Sequence, residues 1–246
     1  MKNILFLLAS LNYTNLFSQE FPSDSIILKE VFGATDKGGK TFSSKYKGDE
    51  NVPSYQDRVV YRIVFKSNYG NNLILAIVEA PYGTQEGHQF GYQDLYFIKL
   101  VGGKVELANS IKSGGLGPIG DESVFEIVDI GKDKKALVST FQSTGNHHFE
   151  RTKSMRLLES NKLKYLFSVH AEYSNACCKT TQTENESCEA ISYEETYEIV
   201  KSNSDWFDIK VHHKDFRFTK GCKESYLSLE SDKVYVYNGG NYIEKK

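Results

Sequence analysis

The chain has 246 residues, 39% of them apolar and 25% charged, with a formal net charge of −2. That is enough to build a sizeable core without a metal, and the near-neutral balance excludes a global field that would draw the protein to nucleic acid or to an anionic membrane. Sixteen Tyr and fifteen Phe favour strands, and only four Pro argue against extended disorder.

Met1-Lys2-Asn3 is a short positive start, and Ile4 to Leu11 is an apolar run too short to span a bilayer as a helix. Residues 1–18 therefore read as a signal peptide cut near Ser18-Gln19, with Leu16 larger than the usual small residue there. Export to the periplasm or the exterior is the expectation, and no later segment is apolar enough to be transmembrane. Residues 19–57 read as an N-terminal arm with one strand, at Ser25 to Phe32, followed by a Gly/Lys/Ser-rich loop from Gly33 to Ser54.

Residues 58–246 read as a single repetitive β domain. In the first unit (about 58–111), Tyr61 to Phe65 and Asn72 to Ala80 form a short hairpin. A polar loop from Pro81 to Gln93 follows, and then Leu95–Leu100 and Lys104–Leu107 close on Gly102-Gly103. The second unit (about 122–169) follows the same order, with Phe125–Val128, Ala136–Val138, a polar loop from Gln142 to Lys153, Met155–Leu158 and Leu163–Phe167. A fainter third unit (about 193–246) has Tyr197–Val200, Phe207–Val211 and a closing hairpin of Val234–Tyr237 with Tyr242-Ile243. The expected fold is thus all-β, in repeated four-stranded antiparallel units, β-propeller-like or an open stack of sheets, with a β-sandwich as the alternative.

An insertion at 170–191 carries Cys177, Cys178 and Cys188; Cys222 is the fourth cysteine. In an oxidising compartment an even set reads as disulfides. Adjacent Cys177 and Cys178 rarely bridge each other, so each pairs with Cys188 or Cys222, in either of two connectivities. A metal cluster with His170 is the weaker reading, because C-C-x9-C fits no zinc pattern.

Gly87-His88-Gln89-Phe90 in unit one sits where Asn146-His147-His148-Phe149 sits in unit two. If the units are related by rotation, His88, His147 and His148 could converge on a divalent metal, with Glu86 or Glu150 as a carboxylate partner. The alternative is surface histidines bonded to their own loops. His212-His213 reads as the end of a strand. Asp129 and Asp133 offer two carboxylates in a strand connection, but Lys132, Lys134 and Lys135 oppose a cation, so this reads as a plain turn. Glycine-rich Ser113 to Asp121 lacks the Lys-Ser/Thr of a phosphate loop. Neither a G-x-S-x-G elbow nor an H-E-x-x-H helix is present. The chain is thus expected to be a non-catalytic binding or interaction module, with a cell-envelope protein or glycan as the expected partner. The alternative is an envelope or glycan hydrolase using loop carboxylates or a His-bound metal.

Overall fold

The computed structural model describes residues 21–33, 35–36, 42–44, 59–70, 73–85, 88–111, 124–145, 148–159, 162–175, 191–218 and 225–246. One helix, α1 (Asp24–Phe32), precedes short strands β1 (Thr35–Asp36) and β2 (Phe42–Ser44). Then come β3 (Val59–Gly70), β4 (Leu73–Gln85), β5 (His88–Val101) and β6 (Lys104–Ile111). A second group holds β7 (Val124–Gly131), β8 (Lys134–Gly145), β9 (His148–Leu158) and β10 (Leu163–Asn175). The last group holds β11 (Ile191–Val200), β12 (Asp208–Phe218), β13 (Ser225–Tyr237) and β14 (Tyr242–Glu244). Within each of two sheets, six-stranded β1–β6 and eight-stranded β7–β14, every strand pairs antiparallel with its neighbours in sequence. The fold is all-β and open, not closed into a barrel.

The burial pattern shows how the sheets stack. Ala136, Leu137 and Val138 are consecutive on β8 and all buried. Successive side chains on a strand point to opposite faces, so β8 is covered on both. Leu137 joins Leu75, Ile77, Leu95, Phe97 and Phe125 in one apolar cluster, between β3–β6 and β7–β10. Ala136 and Val138 join Met155, Val169, Ile209, Val211 and Tyr242 in another, between β7–β10 and β11–β14. Ile74, Ala76 and Val78 face the other way from β4 and pack on Ile27 and Leu28 of α1. The order is helix, sheet, sheet, sheet: an open stack of four-stranded layers with a helix on one outer face.

Ser25 to Phe32 is the helix α1 and not a strand. Ser23 caps it, its hydroxyl accepting from the Ile26 N–H at 3.4 Å, and Gly33 ends it at φ 61° with its N–H donating to the Lys29 carbonyl. An accepting N-cap side chain and a left-handed glycine just past the last turn select a helix even for a short apolar run. Ile27, Leu28 and Val31 then share one face over the sheet, and Phe32 meets Tyr96 edge-on at 4.7 Å.

The polar stretches Pro81 to Gln93 and Gln142 to Lys153 are also not loops. They are the far arms of the β4–β5 and β8–β9 hairpins, which stay paired out to Gln85↔His88 and Gly145↔His148. Hairpin arms satisfy their backbone groups on each other, so they need no apolar side chains to remain strands. Likewise His170 to Asn175, read as the start of the insertion, continues β10.

At the opposite end the layers are clasped. The Gly131 end of β7 meets the β11–β12 connection, where Lys132 N–H donates to the Asp205 carbonyl (3.0 Å) and Phe207 N–H to the Ile130 carbonyl (2.9 Å). The Tyr242 hydroxyl donates to the Phe207 carbonyl at 2.9 Å, and Trp206 stacks on Tyr237 with ring centroids 3.6 Å apart. At this same end Tyr69, beside the β3–β4 turn, donates to the Leu158 carbonyl of β9. Alternate turns of a meander lie at opposite ends, so the β4–β5, β8–β9 and β12–β13 tips share the far rim.

Candidate functional site

The far rim holds the densest set of chemistry-bearing side chains among the described residues, where β10 meets β11. Those strands pair over Tyr173–Asn175 and Ile191–Tyr193 and then part. On β11, Tyr193 and Glu195 continue the face of Tyr197 and Ile199; on β12, His213 and Asp215 continue that of Ile209 and Val211. The shared face passes from apolar core to polar rim, and the register sets Glu195 opposite His213 and Tyr193 opposite Asp215.

His213 lies between two carboxylates. Its Nδ1 is 3.1 Å from Glu195 Oε1 and its Nε2 is 2.9 Å from Asp215 Oδ1. Glu195 reaches further: its Oε2 accepts from the His170 backbone N–H on β10 at 2.9 Å. A side chain thereby takes the place of a strand just where β11 has left β10. The His170 imidazole turns to Glu150 of β9, Nδ1 to Oε1 at 2.9 Å, and the Thr152 hydroxyl donates to the same oxygen at 3.0 Å. Beside them Tyr173 and Tyr193 stack with centroids 4.9 Å apart and ring planes at 17°. Tyr193 is also 5.6 Å from the His213 ring and 5.9 Å from that of His170. Burial, and then the nearby carboxylates of Glu195 and Glu150, hold the Tyr193 phenol above its ordinary pKa. No family model matches the chain, and no curated protein and no solved structure matches it either.

Chemically the rim offers stacked aromatic faces bordered by carboxylate acceptors. Ionised carboxylates only accept hydrogen bonds, so Glu195 and Asp215 are both engaged by one imidazole that fills the space between them. Among the described residues, no group of three or more His, Cys, Asp and Glu side chains could hold a metal ion.

The backbone places His88 first on β5 and His148 first on β9, each at the terminal pair of its hairpin. His88 is therefore the register equivalent of His148, not of His147. Their side chains, and His147 and Glu86 altogether, lie outside the described residues, as do Cys177, Cys178, Cys188, Cys222 and the whole of Ser113 to Asp121. His212 and His213 lie mid-strand on β12, not at its end, because β12 extends to Phe218. They point to opposite faces, and His212 bonds Asp232 at 2.6 Å. No described helix is long and apolar enough to cross a membrane.

A second polar group lies within the first layer. Glu79, 4% exposed, is gripped by Arg62 and by the Gln93 amide, which donates to Oε1 at 2.6 Å. These residues are cross-strand neighbours on β3, β4 and β5. A buried carboxylate needs such partners, and the arrangement ties three strands together.

Proposed function

We propose that this chain is an exported, non-catalytic binding module whose contact surface is the rim built around Tyr173 and Tyr193. The N-terminal charge-and-apolar pattern supports export, the cysteines outside the described residues fit a disulfide-bonded mature form, and the like order of strands in successive layers supports an internal repeat. The observation that carries the reading is the stacked tyrosine pair bordered by Glu150, Glu195 and Asp215. Aromatic faces supply rigid contact area at small entropic cost, and the carboxylate lone pairs that the histidines leave over can accept from ligand hydroxyl groups without any carboxylate being released. That combination suits a polyhydroxylated ligand, such as a cell-envelope glycan. The hydrolase alternative requires two carboxylates free to address one bond, and Glu195 and Asp215 are instead committed to His213.

The test uses the exported protein. Its N-terminus should be Gln19, and titration calorimetry against soluble envelope glycan fragments should show saturable binding without product release. Tyr193→Ala should weaken that binding about tenfold. Turnover of the fragments, or binding indifferent to Tyr193→Ala, would overturn the reading.

A further inference from the structure

β3 is flanked by β2, β6 lies beside α1, and β10 and β11 meet each other. β14 covers the C-terminal part of β13 over Tyr235–Tyr237, and Lys245 N–H donates to the Val234 carbonyl at 2.7 Å. Among the described residues no strand pairs with that side of β13 from Ser225 to Lys233. β7 also ends its sheet, but it is short, carries Glu126 and Asp129, and is clasped at Ile130. β13 differs. Tyr226, Leu227 and Leu229 are 54%, 48% and 52% exposed, and no charged residue comes before Glu230. Open edges are ordinarily blunted by charge, proline, brevity or bulges; β13 has one bulge, at Ser228, but is otherwise long and apolar, and such an edge marks a place where another strand adds.

We propose that this edge pairs antiparallel with the same edge of a second copy of the chain, about a two-fold axis through Leu229. A two-fold contact must be self-complementary, and the register decides whether it is. Centred on Glu230, the strand opposes Glu230 to itself; centred on Ser231, it opposes Glu230 to Asp232. Like charges directly opposite destabilise a pair. Centred on Leu229, it sets Leu229 against Leu229, Leu227 against Ser231, Ser228 against Glu230 and Tyr226 against Asp232. Hydroxyl groups then face carboxylates, apolar faces apolar at the axis, and no like charges meet. A steering charge for a basic peptide is lacking, because Glu230 and Asp232 are already paired with Lys214 (3.4 Å) and Lys210 (2.8 Å) of β12. The Ser228 hydroxyl, at the irregularity in the β12–β13 register, donates to the Asp215 carbonyl on the β12 side.

Sedimentation velocity of the full chain over a wide concentration range tests this. The wild type should shift from monomer to dimer. Leu229→Lys sets two ammonium groups across the axis and should weaken the dimer at least about tenfold. Tyr226→Lys sets a lysine against Asp232 and should leave the dimer intact or tighter. Circular dichroism checks the fold of each variant, and Leu229→Glu, which also opposes itself, replaces the lysine variant if the latter loses its strand signal. A wild type monomeric throughout, a dimer that survives both Leu229 variants, or a dimer lost equally in Tyr226→Lys overturns the proposal.

Discussion

At Gly131 a β-carbon would stand within clashing distance of the Asp205 carbonyl oxygen, and 3.1 Å from the Trp206 α-carbon. Both obstacles are backbone, held by the hydrogen bonds that clasp β7 to the β11–β12 connection, so neither gives way cheaply. Gly131→Ala should cost about 1–3 kcal/mol of stability, read as a lower urea midpoint with an unchanged m-value. Wild-type stability in that variant would mean the clasp is looser than the contact implies. The sequence marked this glycine only as part of a turn. Its close partner comes from a connection about seventy residues later, which no local pattern reveals. Gly102 and Gly103 were legible for the opposite reason. Their φ values of 56° and 80° serve the turn they sit in, and paired glycines between alternating runs announce such a turn by themselves.

Between elements, β10 and β11 pair over only three residues each, and Glu195 stands in for the missing strand pairing by accepting from His170 N–H. Glu195→Ala should speed hydrogen exchange at the His170 amide about tenfold or more, since a charge-assisted bond to that amide is lost. Amides in the middle of β8 should keep their protection. Unchanged exchange at His170 would show that the junction does not depend on the carboxylate. This cluster was hidden from sequence reading although its ingredients alternate visibly. Tyr193 and Glu195 are two apart, as are His213 and Asp215, so each pair shares a strand face. What brings the pairs together is the β11–β12 register, set by the irregular connection over 201–207, and such connections carry no register rule. The β4–β5 and β8–β9 arms were missed for a related reason. Strand pairing there rests on backbone hydrogen bonds, and the arms lack the apolar alternation that reveals a half-buried strand. The caps of α1, Ser23 and Gly33, were in plain view, and they outweigh a β-like composition.

For the molecule as a whole, burial is the first cause holding the phenols of Tyr69, Tyr193, Tyr197, Tyr235 and Tyr242 above the ordinary value of 10.0. The unfolded chain ionises these groups near pH 10 while the native state keeps their protons. Their contribution is thus fully present below that pH and is lost as pH rises beyond it. Denaturant midpoints should hold steady from about pH 7 to about pH 9 and fall above about pH 10. Tyr197→Phe, which removes the phenol bonded to Glu126 at 3.0 Å, should make that fall shallower. A midpoint independent of alkaline pH would contradict the burial assigned to these rings. The two ends of the stack differ. α1 covers one, while the outer face of the last layer carries ion pairs, Lys210 with Asp232 at 2.8 Å and Lys214 with Glu230 at 3.4 Å. A further layer stacked there would have to strip water from those charges.

The consecutive pairing within each sheet, β3 to β6 and β7 to β14, also bears on how the chain reaches this state. Every strand after β3 except β7, which opens the second sheet, pairs with the one just made, so no early strand waits for a distant one. Loop closure stays inexpensive throughout, which favours rapid acquisition of structure. A chain emerging N-terminus first could lay down one layer upon another, vectorially, and the clasp at Gly131 would latch only once Trp206 and Tyr242 had been delivered.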